Sequence, residues 1–442
     1  MLRDRTRWIL IFLIFVISAV AYLDRVNISI AGRAIANEFH LSNQQLGWIF
    51  SAFVLGYAFA QAPAGRLADR IGPRLILLLG VFWWAVFTTL ITTLSSSIAL
   101  VLPLLIAIRF LLGVGEAVVY PASNCVVASW IPSSERGIAN GFIFSGVGFG
   151  AGVTPPLITY VMSHYGWRAA FWCSSALGIV IGLIWYAVAR NSPQQHPGVS
   201  EREREYIEHG KPEDSSKAAG IEKAEWRSIF LNRDILMVTF SYFAYGYAAY
   251  IFFSWFFIYL SDVRHLDLKQ SSFYTMLPFM AMAIGSPLGG WISDRLTKAA
   301  GKRVGRCVLA CVGMAFSALF IALSAQVASA QVASLMLAGG AGALYISQSS
   351  FWSVTADVGG RSAGSVSGVM NMGGQFGGAL TASLTPWIAD RFHSWPPSFL
   401  TAAGLCALGA LAWLFVNPDA KLASRAQALL GPESVTTPSE RA

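Results

Sequence analysis

The sequence predicts an all-α integral membrane protein with about twelve transmembrane helices in two pseudo-symmetric six-helix bundles. Three observations support this fold class. The 442-residue chain is 55% hydrophobic and 12% charged, with a mean hydropathy of +0.55, which is too apolar for a soluble protein of this length. Apolar runs of roughly 20 residues, the length that crosses ~30 Å of hydrocarbon, recur along the chain. One polar segment divides these runs six and six.

The first predicted span follows a basic cluster at the N-terminus, an arrangement shared with signal peptides. This apolar run is too long for a signal peptide and lacks a small-residue cleavage site, so we expect it to be retained as a helix. In chain order, the twelve spans are predicted at residues 8–31, 46–66, 74–95, 99–129, 138–161, 168–190, 235–261, 271–292, 305–325, 330–356, 362–388 and 396–417.

A solvated linker separates the sixth span from the seventh. It contains Pro193, Pro197 and the charged run Glu201–Glu205, a composition that favours polar connecting chain with one short surface helix. The sequence therefore predicts an N-terminal bundle at 1–190, the linker at 191–233, a C-terminal bundle at 234–418 and a polar tail at 419–442.

The formal net charge of +8 reflects membrane topology. Lys and Arg concentrate in alternate loops, which predicts cytoplasmic termini and a cytoplasmic linker and argues against a nucleic-acid partner.

The only glycosylation sequon starts at Asn27, inside the first span, which favours a bacterial inner-membrane protein. The five cysteines lie in apolar segments without the spacing of metal ligands. The cation-rich loops carry Arg3, Arg5, Arg7, Arg66, Arg70, Arg74, Arg136, Arg295, Lys298, Lys302, Arg303, Arg306 and Arg361.

The two halves of the chain resemble each other. The motif Gly65–Arg70 after the second span recurs as Gly290–Arg295 after the eighth, and Gly141–Gly146 in the fifth span recurs as Gly368–Gly373 in the eleventh. Such an internal repeat predicts a duplicated six-helix unit with a site between the halves. Glycines four residues apart in the fifth and eleventh spans predict close helix packing, since no strand precedes them to make a dinucleotide-binding loop.

These motifs resemble the major facilitator superfamily. The run Gly65–Arg74 is similar to the signature between its second and third helices, and the resemblance covers essentially the whole chain. Within the superfamily, Tyr22–Asn27 in the first span and Arg109–Pro121 in the fourth resemble the anion:cation symporter branch, which includes bacterial proton-coupled carriers of galactonate, glucarate and hexuronates and the sialin-like carriers of animals.

The resemblance implies two six-helix bundles around a substrate cavity that opens alternately to each side of the membrane. It also implies symport of a small organic anion, such as a sugar acid, with protons. Carriage of an aromatic or dicarboxylic acid and proton-driven export of metabolites or drugs remain alternatives. We expect a monomer that is not an enzyme and that uses the proton as coupling ion without any cofactor or metal.

The first span offers both a carboxyl and a cation. Asp24 and Arg25 are adjacent, so they point about 100° apart around a helix, and Tyr22 shares the face of Arg25. By resemblance, Arg25, Tyr22 and Tyr57 would hold the substrate carboxylate. A guanidinium fork suits that grip.

The fourth span carries Arg109 and Glu116, seven residues and about 10.5 Å apart along one helix face. We expect Arg109 to pair with Asp24, and Glu116 to lie in apolar surroundings that favour its neutral acid. Because all six histidines fall in or beside loops, Asp24, Glu116 and Arg109 are the candidates for proton coupling. The alternative is a buried ion-pair network that only fixes helix packing.

The second half offers polar groups without a charge at mid-membrane depth. By resemblance to sugar-acid carriers, Ser349, Trp352 and Asn371 would face the substrate. One departure is Val147, where these carriers tend to have glutamine, and a valine cannot bind a sugar hydroxyl.

Aromatic side chains crowd the seventh span. They could line a cavity for an aromatic acid, but an interfacial belt with helix packing is the favoured interpretation. These residues are Tyr242, Tyr245, Tyr247, Tyr250 and Trp255.

The repeated loop motif has a predicted mechanical role. Asp69 would cap a neighbouring helix and pair with Arg70 or Arg136 on the cytoplasmic side, and Asp294 is its counterpart in the second half. These four residues are the gating candidates. A simple topology anchor is the alternative.

Overall fold

The computed structural model describes residues 5–98, 100–132, 136–209, 226–359 and 363–420, and these contain helices but no β-strand. The α-helices are α1 (Thr6–Phe39), α2 (Asn43–Ile71), α3 (Pro73–Ile91), α4 (Val101–Glu116), α5 (Val119–Trp130), α6 (Arg136–Val188), α7 (Glu201–His209), α8 (Trp226–Leu231), α9 (Arg233–Ser254), α10 (Phe256–Ile258), α11 (Leu268–Lys302), α12 (Leu309–Ser324), α13 (Ala330–Gly359), α14 (Ala363–Phe392) and α15 (Pro396–Ala412). The predicted all-α membrane fold is confirmed.

The fifth and sixth spans follow each other within α6, and some other spans are divided. The two helical parts of α6 meet at a kink at Gly166, whose backbone is not helical and has a φ of +80°. Such a left-handed conformation is accessible to glycine at little cost, which explains the residue at this corner. The fourth span is divided between α4 and α5, with the break directly after Glu116.

Eight helical stretches in the described part of the chain are long and apolar enough to cross a membrane. The helices α2 and α14, which correspond to the second and eleventh spans, are not among them. These two helices pack against each other between the halves. Each of them therefore contacts the opposite half as well as its own.

Glycines bring the central helices close together, as the sequence predicted. A methyl group at Gly150 would meet the backbone of Ala19 in α1, and one at Gly148 would meet Ala283 in α11. On α14, Gly377 lies equally close to the backbone of α9. Within the fifth span, Gly146 and Gly150 therefore contact α1 of the same half, and Gly148 and Gly152 contact α11 of the other half.

The chain ends and the linker lie at one end of the bundle, which we call the linker side. Glu203 in α7 accepts hydrogen bonds from the backbone N–H groups of Thr6 and Arg7, both at 3.2 Å. Near the last helix, Asn417 N–H donates to Asp234 at 2.9 Å. The opposite end is called the far side.

The two halves meet most extensively towards the far side. Arg33 in α1 forms an ion pair with Asp262. Ser51 Oγ in α2 lies 2.7 Å from Ser383 Oγ and donates to the Ala379 carbonyl in α14 at 2.6 Å.

Among the described residues, the recorded hydrogen bonds between the halves lie towards the far side and the centre. The hydrogen bond from Asn371 Nδ2 to Gln61 Oε1, at 2.7 Å, lies further towards that side than the Ser51 contacts. A methyl group at Gly141 or Gly368, still nearer the linker side, would meet open space. In the part of the chain that is described, the halves are therefore closed on the far side and separate on the linker side.

Candidate functional site

The centre of the N-terminal half contains a buried ion pair between α1 and α4. Arg25 Nε donates to Glu116 Oε2 at 2.8 Å. Arg25 is 6% exposed and Glu116 is 0% exposed, so neither charge is compensated by water. Glu116 is the last residue of α4, where the helix breaks. This pairing joins the two residues that the sequence assigned separately to anion binding and to proton coupling.

Aromatic rings surround the Arg25 guanidinium. Its central carbon lies 4.2 Å from the ring centroid of Tyr57, 4.5 Å from Tyr22 and 5.1 Å from Phe53. These distances are within the range of cation–π attraction, which partly offsets the cost of burying the cation. Both predicted tyrosines therefore contact Arg25. Its Nη1 atom is buried and has no hydrogen-bond partner.

A second guanidinium also lies beside Phe53. The central carbon of Arg109 is 4.6 Å from the Phe53 ring centroid, and its Nε is buried without a hydrogen-bond partner among the described residues. Arg109 is 2% exposed. Phe53 therefore contacts two buried cations, a role that the sequence analysis did not identify. Its position four residues before Tyr57, on one face of α2, was the available signal.

Asp24 does not form the expected ion pair with Arg109. Its carboxylate instead accepts hydrogen bonds from Thr88 Oγ1 in α3 at 2.6 Å and from Ser174 Oγ in α6 at 2.7 Å. No nitrogen–oxygen contact within 4.0 Å joins it to Arg109, both residues being described. The reason is the rotation of about 100° from Arg25, which directs Asp24 towards α3 and α6.

Two adjoining cavities occupy the interface between the halves. The first, the cationic chamber, has an empty volume of about 340 Å³ and contains both buried arginines in its wall. Its lining residues are Tyr22, Arg25, Ile28, Phe50, Phe53, Val54, Arg109, Tyr250, Phe253 and Ser254.

The second cavity, the aromatic chamber, has an empty volume of about 700 Å³. It shares Tyr22, Tyr250 and Phe253 with the cationic chamber. Its lining residues are Tyr22, Tyr57, Tyr120, Asn124, Phe144, Val147, Tyr242, Tyr245, Gly246, Ala249, Tyr250, Phe253, Tyr345, Gln348, Trp352, Asn371, Gly374 and Gln375.

Most of the predicted substrate residues reach these chambers. Trp352 and Asn371 line the aromatic chamber from the second half, as does Val147 from the first. Ser349 is not among the residues of either wall, although it is close to α11 at Gly290. Its position one helical turn from Trp352 was not sufficient to orient it towards the cavity.

The favoured interpretation of the seventh-span aromatics, an interfacial belt with helix packing, is wrong for three of the five residues and holds as packing for the other two. Tyr242, Tyr245 and Tyr250 line the aromatic chamber instead of forming an interfacial belt. Tyr247 is fully buried, and Trp255 Nε1 donates to the Ala382 carbonyl at 2.9 Å. The sequence could not distinguish these cases, because α9 is central and is aromatic on several faces.

The gating candidates are only partly described. The side chains of Asp69 and Arg136 lie outside the described residues, whereas Arg70 is exposed in the last turn of α2. In the second half, Asp294 forms an ion pair with Arg306 at 3.1 Å. This contact stays within one half.

Comparison with known proteins places these features in a family. The family model of the Major Facilitator Superfamily matches residues 14–382. The chain is 34% identical to a probable sulfoacetate transporter of Cupriavidus necator, over 94% of this chain and 95% of that protein. It is 30% identical to a probable L-galactonate transporter of Escherichia coli, over 91% and 88% of the two chains.

The fold also has solved neighbours. A bacterial homologue of the human lysosomal transporter Spinster, in an inward-facing and unoccupied conformation, superposes with a TM-score of 0.74 at 18% identity, over 93% of this chain and 96% of that one. The relatives are transporters, which agrees with the expectation that this chain is not an enzyme. The buried charges and central chambers thus lie in a multi-pass membrane protein that belongs to the Major Facilitator Superfamily.

Proposed function

We propose that this protein is a secondary active transporter that carries a small organic anion together with protons by alternating access. The observation that carries the proposal is the buried contact between Arg25 and Glu116 beside the cationic chamber. Arg25 has one guanidinium nitrogen without a partner and lines the chamber, so an anion can reach it. The substrate and Glu116 then compete for the same cation.

Charge balance links the proton to the anion. With all four groups ionised, Asp24, Arg25, Arg109 and Glu116 sum to zero formal charge. An entering monoanion makes this buried cluster net negative, which is costly in surroundings of low dielectric constant. A proton on Glu116 restores neutrality and frees Arg25 for the anion. Because the two binding events favour each other, each must raise the affinity of the other by the same factor.

The position of the contacts between the halves supports the proposal of alternating access. The far side is held by Arg33 with Asp262 and by Ser51 with Ser383. Rocking of one half against the other along α2, α14, α6 and α11 would break these contacts and expose the chambers to the far side. Both walls come from a single chain, so a monomer is sufficient.

The comparisons support an anionic substrate. The named relatives include probable transporters of sulfoacetate, L-galactonate and, in Bacillus subtilis at 34% identity over 67% of this chain, galactarate and D-glucarate. All of these solutes are anions. A sugar acid was the substrate class implied by the resemblance, and two of these relatives favour it.

We place the protein in the inner membrane with the linker side in the cytoplasm. Arg74 donates through its backbone N–H to Asn191 at 3.1 Å, so the cation-rich loop after α2 lies beside the linker. Arg306, in the corresponding loop of the second half, precedes Cys307, which contacts the carbonyl of Val416 near the final helix. Cation-rich loops on one side favour retention of that side in the cytoplasm.

The test uses purified protein in proteoliposomes. A panel of labelled acids comprising gluconate, sulfoacetate, succinate and phenylacetate is supplied with and without an inward proton gradient. We expect at least one anion to accumulate above equilibrium only when the gradient is present, and this accumulation to vanish with a protonophore. Uptake that is indifferent to pH, or restricted to cations, would refute the proposal.

A further inference from the structure

The aromatic chamber is unlike a site for a polyhydroxylated acid. Of its 18 lining residues, ten are Phe, Tyr or Trp, and none is charged. Val147 occupies the wall of the first half and is 4% exposed. Sugar hydroxyls that lose water must each find a hydrogen-bond partner, and an unpaired buried hydroxyl costs roughly 1–3 kcal/mol.

Some polar groups in the chamber have partners within the protein, whereas Tyr245 Oη, Gln348 Oε1 and Trp352 Nε1 are buried without a hydrogen-bond partner among the described residues. Asn371 donates to Gln61 at 2.7 Å, and Tyr250 donates to Gln375 at 2.9 Å. The hydroxyl of Tyr120 lies 2.9 Å from Ser18 Oγ. Their use by a sugar acid would require breaking internal hydrogen bonds. A substrate that packs against the aromatic faces of the chamber would not have to break these internal hydrogen bonds.

The ring arrangement suits a planar guest. Tyr120 stacks on Phe144 with centroids 5.0 Å apart, and Phe144 lies 5.8 Å from Trp352 across the interface between the halves. Also from the second half, Tyr242 and Tyr245 are stacked with centroids 5.1 Å apart. Offset stacked and edge-on contacts between rings are favourable at separations of this size.

The chamber adjoins the cation that would hold a carboxylate. Tyr22 and Tyr57 form part of its wall and are also the rings closest to the Arg25 guanidinium. A carboxylate at Arg25 therefore directs the body of its molecule along these two rings. Phe253, 5.4 Å from Tyr22, closes the opposite side.

We infer that the substrate is an aryl carboxylate, with its carboxylate at Arg25 and its single ring in the aromatic chamber beside Trp352. This inference rests on the proposed function, because it assumes that Arg25 is the anion site. The chamber lies between the two halves and is lined by aromatic rings from both of them.

The test measures binding by calorimetry on the purified full chain in lipid nanodiscs, which avoids the passive permeation of neutral aryl acids. The probes are phenylacetate, its saturated analogue cyclohexylacetate, gluconate and sulfoacetate. We expect phenylacetate to bind roughly 2- to 12-fold more tightly than cyclohexylacetate, the factor for one aromatic pair beyond its buried area. Gluconate and sulfoacetate should bind more weakly than both.

Variants locate the ring. Trp352→Leu should remove most of the preference for phenylacetate over cyclohexylacetate, whereas Trp352→Phe, the matched control, should keep it. Val147→Gln should raise gluconate affinity roughly 5-fold, the factor for one added hydrogen bond, and should not raise phenylacetate affinity.

The outcomes separate the two proposals. If gluconate or sulfoacetate binds as tightly as phenylacetate while its uptake follows the proton gradient, the aryl inference is wrong and symport stands. If Trp352→Leu leaves the aromatic preference intact, the ring is not in this chamber and the inference also fails. If no acid is bound by the wild-type protein, both proposals fail.

Discussion

Replacing Glu116 by glutamine tests the link between proton and anion most directly. The substitution keeps the size of the side chain and an oxygen that can accept from Arg25 Nε, whose present distance to Glu116 is 2.8 Å. It removes the negative charge of residue 116 and also its ability to bind and release a proton. The buried cluster then carries a net positive charge at every pH, which a bound monoanion neutralises.

The structure sets the expected magnitudes. In the empty protein the variant leaves Arg25, 6% exposed, without its counter-charge, and breaking a buried ion pair typically costs about 3–5 kcal/mol. Glutamine retains a hydrogen bond to the cation, so the loss should be towards the lower end of this range. A bound anion should restore it, so ligand should stabilise the variant more than the wild type.

Transport should change in the opposite sense. If one proton accompanies each monoanion, a gradient of one pH unit supplies about 1.4 kcal/mol and supports roughly tenfold accumulation by the wild type. Glu116→Gln should bind the anion and exchange it across the membrane. Under the same gradient, it should not raise the internal anion concentration above the equilibrium value.

Proteoliposome uptake and thermal unfolding measure both effects. The matched control is Glu38→Gln, which removes a carboxylate from the partly exposed pair with Arg168 near the far-side end of α1 and should preserve accumulation. If Glu116→Gln still concentrates the anion against its gradient, Glu116 is not the coupling proton site. If the anion stabilises the variant no more than the wild type, the competition at Arg25 is wrong.

Three further outcomes are expected. Asp24→Asn should destabilise the protein by roughly 1–3 kcal/mol, because its amide cannot accept from both Thr88 and Ser174 without leaving a donor unpaired, and an unchanged unfolding temperature would contradict this. Glu203→Ala should accelerate proteolysis of the linker by about 10- to 100-fold, since Glu203 accepts two backbone N–H bonds and pairs with Arg7, and a cleavage rate equal to that of the wild type would exclude this docking role. Gly150→Leu should prevent α1 and α6 from packing and reduce folded yield in detergent, whereas Gly141→Leu should be tolerated because that position faces open space.

Much of the fold followed from sequence because hydropathy, loop charge and internal repeats are local signals. The twelve predicted spans correspond to described helices, and the packing role of the glycines in α6 and α14 is confirmed. The kink at Gly166 lies between the predicted fifth and sixth spans, whereas the break after Glu116 divides a span that was predicted as continuous. The break leaves no polar loop in the sequence.

The candidate site was predicted in composition but not in pairing. Buried charges in apolar helices marked Asp24, Arg25, Arg109 and Glu116, because such residues are costly in a membrane. The expected partner of Asp24 was wrong, since Thr88 and Ser174 are ordinary residues in a membrane helix until packing brings them to a carboxylate. The sequence likewise did not show which aromatic side chains line the aromatic chamber.

By itself, the sequence determined the membrane environment, the number and order of spans, the twofold repeat and the identity of the buried charges. All of these depend on which residues are present and on their spacing along one helix. Only the tertiary structure decided that Glu116 pairs with Arg25, that Phe53 contacts two arginines and that three tyrosines of α9 face a cavity. The physical reason is that these contacts join different helices, and the rotation of each helix about its axis is set by its neighbours.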